Sequence, residues 1–533
     1  MKNLLKKITT ILVIAAVAAG ATACGSQTVS NNNTSEGGEE KVLYAAVKSV
    51  ADQPFDPALI ALSAIEQIEP LNDTLLHVDK DGNYTEGLAD QWKYSDDYTS
   101  FTIHLRDGLT FHNGDEVTSE DVKFTFEYYA SEASNQSDKI YFTNYIKSID
   151  TPDKQTVIVN FTEPFTEFEY IISEGGTGGG IIIPKNYFEE VGEDGYNAAP
   201  IGTGAFEFVS FTAGQEIVYK AYDGYWAGRA KIDKIVLRQV SEENTLVAGL
   251  QSGEYDWANI SYNSISAVEA SPNLRVENVD YGSSLGVFIS GAYDNNGKAA
   301  QNNLVREALY TSINREELTA SVFANNAILA NVWGVFPFTN GYNGEAQEIA
   351  YDVDGAKALL EEAGYPGAFE DPIIKLYYTE SKPYNKEVAQ ALQSYWEAIG
   401  VQVELVTTDP VTLSEYYKAN PLDPEFEGAL YLFDPPKKYS ANDAIAPFFP
   451  ENSIFRLIQG NETLENDVKK LLQVYGSERE SVVTEILNEI EKAHVAIPLV
   501  YPSKTYAVSD RVKSWDSTQS AHWGYYFYTF ELN

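Results

Sequence analysis

Apolar and polar residues alternate along several short segments in the first half of the chain. Within residues 101–105, Phe101, Ile103 and Leu105 are separated by polar residues, and this period of two is typical of a strand with one buried face. The same alternation recurs over residues 157–161. Both segments are therefore predicted to be half-buried strands.

A helix is predicted between these two strands. Thr118 is followed three residues later by Asp121, which is the spacing of a helix-capping pair. Val122, Phe126 and Tyr129 then follow at intervals of four and three residues. The helix that begins here is expected to bury this apolar face.

Helical periodicity dominates after about residue 284. The predicted elements are the helices Leu304–Asn314, Val353–Ala363 and Val388–Ile399 and the strands Ile373–Tyr378 and Val401–Val406. Gly364 and Gly400 end the last two helices. Since strands and helices alternate along the chain, the predicted fold class is α/β.

Composition narrows the functional classes. The chain has 533 residues, which is enough for two or three domains. Its 78 acidic and 37 basic residues give a net charge of −41, which argues against nucleic-acid binding, because nucleic-acid binders cluster Lys and Arg. One Cys, one Met and five His disfavour a metal site. We expect neither a metal nor a cofactor.

The N-terminus is typical of an exported protein. Residues 1–23 combine early lysines, an apolar run and small residues, as in a secretory signal peptide. Cys24 follows Ala21, Thr22 and Ala23, an arrangement that resembles a bacterial lipobox with Ala21 in place of the usual Leu. We expect Cys24 to be lipidated and residues 24–40 to form a flexible tether. The alternative is a plain signal peptide with an incidental Cys.

Three blocks of residues carry a resemblance to a known family. The first block is Leu88, Ala89, Asp90, Trp92, Ser95, Asp97, Phe101, His104, Leu105, Arg106, Gly108, Phe111, His112, Asn113, Gly114, Thr118, Glu120, Asp121 and Val122. The second is Pro200, Gly202, Thr203, Gly204, Phe206, Tyr222, Tyr225, Trp226, Gly253, Glu254, Tyr255 and Asp256. The third is Val305, Arg306, Ala308, Leu309, Ile313, Asn314, Arg315, Glu316, Ala356, Leu359, Leu360, Ala363, Gly364 and Tyr365. Together they resemble the extracellular solute-binding proteins of family 5, the oligopeptide- and dipeptide-binding subunits of ABC importers.

The resemblance implies a two-lobed periplasmic-binding-protein-like fold of type II, in its three-domain variant. Two hinge crossings, expected near residues 281–286 and 496–500, would join the lobes. The implied domains are domain I at 41–62, 197–283 and 499–533, domain II at 63–196, and domain III at 284–498.

The resemblance also implies a function. The protein would be a monomeric binding lipoprotein, not an enzyme, that captures extracellular peptides in the cleft between its lobes. It would be anchored to the bacterial cell membrane by its lipid and would deliver its ligand to an ABC permease. An oligosaccharide or another small solute is the alternative ligand. Nickel and haem are disfavoured by the few His, Cys and Met residues.

The family's peptide anchor is altered in this sequence. Peptide-binding relatives pair the ligand's α-ammonium with an Asp that lies three residues after a Trp. Here Phe433 takes the Trp place and Pro436 the Asp place. Asp434, two residues earlier, and Asp443 are the candidate anchors. Alternatively, Asp434 simply begins a proline turn.

Four aromatic residues are further candidate ligand contacts. Tyr44, Tyr377, Tyr431 and Phe433 lie near strand ends that face the cleft in the family. Most aromatic side chains of a globular protein belong to its core, so a core position is the alternative for each of them.

Two glycine-rich segments could suggest other chemistry. Gly282–Gly286 satisfies the G-x-S-x-G pattern of hydrolases, but that pattern requires a helix after the Ser, whereas residues 287–289 predict a strand. Gly175–Gly180 lacks the Lys-Ser/Thr of a phosphate loop and predicts a flexible loop. A secreted hydrolase would also need a nucleophile and base pair, which the sequence does not reveal.

Overall fold

The computed structural model describes residues 40–50, 55–60, 62–291, 297–420, 422–517 and 525–533. Cys24, the predicted signal peptide and the predicted tether up to residue 39 lie outside the described residues.

The described residues form strands β1 (Val42–Val47), β2 (Leu76–Val78), β3 (Tyr84–Glu86), β4 (Ala89–Tyr94), β5 (Ser100–Leu105), β6 (Ile146–Asp150), β7 (Thr156–Phe161), β8 (Phe206–Thr212), β9 (Glu216–Ala221), β10 (Lys234–Gln239), β11 (Trp257–Asn259), β12 (Leu274–Val279), β13 (Leu285–Ile289), β14 (Ala327–Leu329), β15 (Ile374–Tyr378), β16 (Val403–Thr407), β17 (Leu430–Phe433), β18 (Ala496–Pro502), β19 (Lys504–Ser509), β20 (Val512–Ser514) and β21 (Glu531–Leu532).

The α-helices of the same residues are α1 (Ser119–Ala130), α2 (Lys139–Asn144), α3 (Phe168–Ile171), α4 (Lys185–Ala198), α5 (Glu243–Ser252), α6 (Ile265–Glu269), α7 (Asn303–Thr311), α8 (Arg315–Val322), α9 (Val353–Glu362), α10 (Asn385–Ala398), α11 (Pro410–Lys418), α12 (Ala441–Ile445), α13 (Glu462–Lys470) and α14 (Gly476–Ala493). Short 3-10 helices cover Leu62–Ile68, Tyr262–Ser264, Ala299–Gln301 and Phe527–Thr529.

The larger sheet of the first lobe contains seven strands in the order β12-β19-β11-β1-β10-β9-β8. Strand β1 runs parallel to β10 and β11, and the other neighbours are antiparallel. Trp257 on β11 is buried and packs against Tyr506, Tyr525 and Phe530. Aromatic packing therefore fixes the C-terminal part of the chain to the centre of this sheet.

A second sheet of the first lobe has the order β4-β5-β7-β6. The predicted strands at 101–105 and 157–161 are confirmed as β5 and β7, which pair with each other. The Asp121 carboxylate accepts hydrogen bonds from the Thr118 N–H (2.9 Å) and hydroxyl (2.7 Å), which confirms the predicted pairing at the start of α1. Val122, Phe126 and Tyr129 share one core with Phe101 and other residues of this sheet.

The second lobe is built on a six-stranded sheet with the order β14-β18-β13-β17-β15-β16. One continuous core extends from Leu285 to Val500. The helices predicted at 304–314, 353–363 and 388–399 correspond to α7, α9 and α10. Trp396 of α10 is fully buried and donates a hydrogen bond to the Leu309 carbonyl of α7 (3.1 Å), so these two helices share the core.

Within the described ranges, the chain passes between the lobes at two places. Residues 280–284 link β12 of the seven-stranded sheet to β13 of the six-stranded sheet, and Ser503 links β18 back to β19. The second passage lies just after the predicted residues 496–500, because those residues belong to β18. The domain boundaries themselves stay a prediction.

The glycine-rich segment Gly175–Gly180 is not the flexible loop predicted from its composition. All six residues are buried. A Cβ atom at Gly180 would lie 1.9 Å from the Ile172 carbonyl oxygen, and one at Gly176 would lie 2.7 Å from the Tyr170 oxygen. These glycines therefore allow close packing of two backbone segments.

The lobes contact each other at a place that we call the rim contact, formed by Thr166 and Glu167 of the first lobe and by residues 471–479 of the second. The Thr166 N–H donates to the Leu472 carbonyl (2.9 Å). The Arg479 guanidinium lies 2.6 Å from the Glu167 carboxylate, and both side chains are almost completely buried. Arg479 also donates to the carbonyls of Val474 (3.0 Å) and Leu471 (3.0 Å). A desolvated charge pair with supporting hydrogen bonds therefore joins the lobes at the rim contact.

Removing the cation of the rim contact should loosen the lobes. Arg479→Met leaves the Glu167 carboxylate buried without its partner, which costs about 3 to 5 kcal/mol when such a pair is broken. We expect a lower free energy of unfolding in chemical denaturation and a larger radius of gyration by X-ray scattering. Adding Glu167→Gln should recover part of both losses.

Lys470→Met is the control for this variant, since Lys470 is about half exposed in its pair with Asp467 and such pairs contribute little. An Arg479→Met protein with the stability and dimensions of the control would contradict the assigned role of the rim contact.

Candidate functional site

A cavity of about 400 Å³ lies between the two lobes. Both lobes and both passages of the chain contribute to its walls. It is lined by Ala46, Val47, Lys48, Ser49, Glu66, Trp257, Asn259, Ile260, Ser261, Tyr262, Gly282, Ser283, Ser381, Lys382, Pro383, Tyr384, Pro502, Ser503, Lys504, Thr505, Tyr506 and Tyr525.

The position of the cavity follows from strand direction. Residues 46–49 and 259–262 lie at the carboxyl ends of β1 and β11, which are parallel. In the second lobe, residues 381–384 follow β15, and Asp434 follows the parallel strand β17. Ligand sites in α/β sheets form outside the carboxyl ends of parallel strands. In both lobes, the carboxyl ends of parallel strands thus face the cavity.

Asp434 lies directly behind the cavity wall. Its side chain is only 4% exposed, and its carboxylate accepts a hydrogen bond from the Tyr384 hydroxyl and lies 3.5 Å from the Lys382 Nζ. The other oxygen, Oδ1, has no hydrogen-bond partner among the described residues. Burial, and next the charge of Asp434, raise the pKa of Tyr384. Tyr384 therefore stays protonated as the donor to Asp434.

The cavity wall carries both charge signs and aromatic faces. Lys48 pairs with Glu243 at 3.0 Å, and Lys504 lies 3.5 Å from Glu66. The aromatic lining residues are Trp257, Tyr262, Tyr384, Tyr506 and Tyr525. Such a wall can hold a solute that has both apolar and charged parts.

Three of the predicted aromatic contacts lie inside the second lobe. Tyr431 is fully buried and stacks between Phe288 (5.1 Å between ring centroids) and Tyr377 (5.4 Å). Phe433 packs against Phe288 and Phe455 in the same cluster. These three residues are not among those that line the cavity.

Tyr44 lies on β1, and it is also not among the residues that line the cavity. Its side chain is half-buried. Its backbone N–H donates to the Asp256 carboxylate (3.0 Å), which fixes β1 to the start of β11. Tyr44 therefore lies on the same strand as the cavity residues Ala46 and Val47 and shortly before them.

Asp443 lies at a second contact between the lobes. It accepts hydrogen bonds from the hydroxyls of Tyr141 (2.9 Å) and Tyr170 (2.8 Å), both of the first lobe, and lies 3.5 Å from the Lys438 Nζ. Burial, and next the negative charge of Asp443, raise the pKa of the first-lobe residue Asp138 to about 6. The structure thus separates the two candidate anchors, with Asp434 beside the cavity and Asp443 in the contact between the lobes.

The three lysines of the cavity are not among the residues predicted from the sequence. Lys48 directly follows β1, and Lys382 lies shortly after β15, the strand predicted at 373–378. Their position shortly after a strand is the feature of the sequence that could have identified them, because ligand sites form at the carboxyl ends of parallel strands. Lys504 reaches the cavity only because the chain returns to the first lobe at Ser503.

Two further observations concern metals and membranes. The described side chains include no group of three or more His, Cys, Asp or Glu arranged to hold a metal ion. None of the helices in the described ranges combines the length and apolar content that a membrane span requires.

The sequence is similar to known binding proteins. The profile of the bacterial extracellular solute-binding proteins, family 5 Middle, matches residues 83–443. Heme-binding protein A of Haemophilus influenzae is 28% identical over 445 residues, which cover 76% of this chain and 77% of that protein.

The fold is similar to solved structures. The ABC transporter substrate binding protein CtaP of Listeria monocytogenes superimposes with a TM-score of 0.82 at 21% identity, covering 93% of this chain and 100% of that one. The periplasmic binding protein DppA of Helicobacter pylori, solved in complex with the peptide STSA, gives a TM-score of 0.70 at 22% identity and covers 92% and 98%. These likenesses confirm the predicted two-lobed fold. Because the family profile covers more than half of the chain, this protein belongs to the family 5 bacterial extracellular solute-binding proteins, which bind solutes for ABC transporters and are not enzymes.

Proposed function

We propose that this protein is a binding lipoprotein that captures extracellular peptides in the cavity between its lobes and delivers them to the permease of an ABC transporter. The observation that carries the proposal is the composition of the cavity wall, which draws residues from both lobes and from both passages of the chain. A ligand held there contacts both lobes, so it favours the closed arrangement over the open one. Hinge bending would occur at residues 280–284 and at Ser503.

Three features favour a peptide as the ligand. The wall contains the ends of β1 and β11 and the residues that follow β15, and an extended peptide can pair with protein backbone at the edge of a sheet. The Asp434 carboxylate has an oxygen without a partner within the described part of the chain, beside Tyr384 and Lys382, and can receive an α-ammonium group. DppA of Helicobacter pylori, which has the same fold, was solved with a peptide.

Other ligands fit less well. Stacked aromatic rings such as Trp257 and Tyr506, 4.6 Å apart, could hold a sugar ring, so an oligosaccharide is the second candidate.

The relative in Haemophilus influenzae is named for heme. None of the described residues that line the cavity is His, Cys or Met, and these are the commonest haem ligands.

Lipidation of Cys24 would hold the protein at the outer face of the cell membrane. The support for this part of the proposal is the sequence alone, namely the signal peptide pattern that ends at Ala23 and a single Cys that directly follows it. Bacterial lipoproteins carry more than one acyl chain, which makes such anchoring stable.

We expect Asp434 to give peptides with a free N-terminus a higher affinity than peptides with a blocked one. We expect tripeptides with a free α-ammonium to bind about tenfold or more tightly than their N-acetylated forms, because a hydrogen bond to a charged group contributes about 1.5 to 3 kcal/mol. Asp434→Asn should remove this difference, whereas the exposed Asp423→Asn should retain it. Calorimetry gives the affinities, and mass spectrometry identifies molecules that co-purify. Recovery of a saccharide and no peptide binding would disprove the peptide assignment.

Cys24→Ala should release the protein from the membrane. Wild-type protein is expected in the detergent phase of a phase-separation assay, with an acylated N-terminal Cys24 by mass spectrometry. The variant is expected in the aqueous phase or the medium, and Ser26→Ala should behave as wild type. An unmodified Cys24 at the mature N-terminus would contradict lipidation.

Ligand affinity should depend on the protonation of Asp138. Burial, and next the charge of Asp443 across the contact between the lobes, raise the pKa of Asp138 to about 6, and opening the lobes would remove that charge. The closed form therefore binds the proton more tightly, so closure is favoured at low pH and weakened as pH rises through about 6.

We expect affinity to fall by up to about tenfold between pH 5 and 7.5, since one pKa unit corresponds to about 1.4 kcal/mol. Asp138→Asn should flatten this part of the profile measured by calorimetry. The exposed Asp107→Asn is the matched control. An unchanged profile in Asp138→Asn would refute the assignment.

A further inference from the structure

A second cavity, of about 490 Å³, lies within the second lobe. We call it the α14 cavity, because helix α14 forms one wall. Residues between 331 and 347 form the opposite wall, and β18 and the end of α7 complete it. In the described part of the chain, it shares no lining residue with the cavity between the lobes. Its volume is within the range of small-molecule sites, about 300 to 1,000 Å³.

One face of α14 is turned to this cavity. Thr484, Leu487, Asn488 and Glu491 line it, and their spacing of three and four residues places them on one side of the helix. These four residues are half-buried or exposed, unlike the core side of α14. The helix thus presents a face that is partly apolar and partly polar to the α14 cavity.

The floor of the α14 cavity is aromatic and closely packed. Trp333 and Tyr310 line it and are only 3% and 9% exposed. The Trp333 ring packs edge-on against Phe448 (4.6 Å between ring centroids), and a Cβ atom at Gly286 would lie 2.3 Å from its Cδ1 atom, so this ring lies directly on β13. The Tyr310 ring packs against His494 (5.3 Å). Aromatic rings held in this way form a surface that suits an apolar or cationic group.

The wall of the α14 cavity carries negative charge without a compensating cation. Glu345 and Glu491 are exposed lining residues, and neither forms an ion pair with a residue that the structure describes. No Lys, Arg or His is among the described residues that line this cavity. Burial, and next the charge of Glu491, raise the pKa of Tyr310. The negative charge of the wall therefore acts on the floor as well.

Arg315 is a buried cation close to this floor, and its charge lowers the pKa of Tyr310. Its guanidinium is already bound within the protein, because it donates to the carbonyls of Ala330 and of Ile349 (2.8 Å) and to Asn331 Oδ1 (3.3 Å). Arg315 is not among the lining residues. The charged groups that a solute meets in the α14 cavity are therefore carboxylates.

We propose that the α14 cavity binds a small organic cation, namely an ammonium group that carries an aromatic or alkyl body. The body packs on Trp333, Tyr310 and Leu487, and the ammonium group lies near the carboxylates of Glu345 and Glu491. Attraction between a cation and aromatic rings and hydrogen bonds to carboxylates both favour this class of ligand over neutral or anionic molecules. The inference goes beyond the proposed function and does not require that a peptide binds between the lobes.

Three probes with the same ring and different charges test this site. The probes 2-phenylethylammonium, 2-phenylethanol and phenylacetate are titrated into the full-length wild-type protein, and NMR spectroscopy gives each affinity. We expect the cation to bind about tenfold more tightly than the alcohol. Phenylacetate should bind more weakly than the alcohol, because the carboxylates repel it. Equal affinities of the three probes, or no binding of the cation at millimolar concentration, would overturn the proposal.

Replacing the two carboxylates tests whether they form the site. Glu345→Gln combined with Glu491→Gln should lower the affinity of the cation to that of the alcohol and leave the alcohol unchanged. Both side chains are exposed, so this variant should fold as wild type does. The matched control is Glu485→Gln, which changes an exposed residue of α14 outside the cavity wall and should retain the preference for the cation. A preference that persists in the double variant would contradict the assignment.

Asp434→Asn distinguishes the α14 cavity from the cavity between the lobes. A cation bound beside Asp434 would lose affinity in this variant, whereas a cation in the α14 cavity should keep it. Loss of binding in Asp434→Asn and retention in the double variant would overturn the proposal. That result would leave the proposed peptide function intact, because peptide titrations test it separately.

Discussion

In the part of the chain that the structure describes, residues 280–284 and Ser503 join the two lobes covalently. The other described contacts between the lobes are noncovalent, so the balance between open and closed forms depends on contacts that can be broken. The rim contact with Arg479 and Glu167 is one of these, and the hydrogen bonds to Asp443 are another. Both contacts are polar, and Tyr439 of the second lobe also packs into the core of the first lobe. A ligand that contacts both lobes in the cavity adds its binding energy to these contacts and so favours the closed form.

The site depends on the direction of the strands more than on any single residue. Both lobes turn the carboxyl ends of parallel strands to the same space, and the wall includes residues at those ends and residues that directly follow them. Asp434 follows β17, so its charge moves with the second lobe. A solute that contacts both Asp434 and the end of β1 therefore binds best at one distance between the lobes.

Features that depend on local pattern were predictable from the sequence. Alternation identified β5 and β7, and the spacing of Thr118 and Asp121 identified the start of α1. Features set by tertiary packing were not. Gly175–Gly180 has the composition of a loop, yet it is buried because two backbone segments approach closely there. Tyr431 and Tyr377 lie near strand ends, but the local sequence cannot distinguish the cleft from the lobe's own core. Lys48 and Lys504 line one cavity although more than four hundred residues separate them, and no local pattern encodes that proximity.

The place of β19 in the first lobe has a consequence for how the protein folds. This strand lies between β11 and β12, although the entire second lobe separates it from them in the chain. The second lobe is continuous in sequence and can form its own core first, whereas the seven-stranded sheet must wait for residues 504–509. Until then β11 and β12 each present an open edge, which is a site for wrong pairing. A polypeptide that stopped before β19 would therefore keep β11, β1, β10, β9 and β8 paired but leave β12 without its neighbour in the sheet.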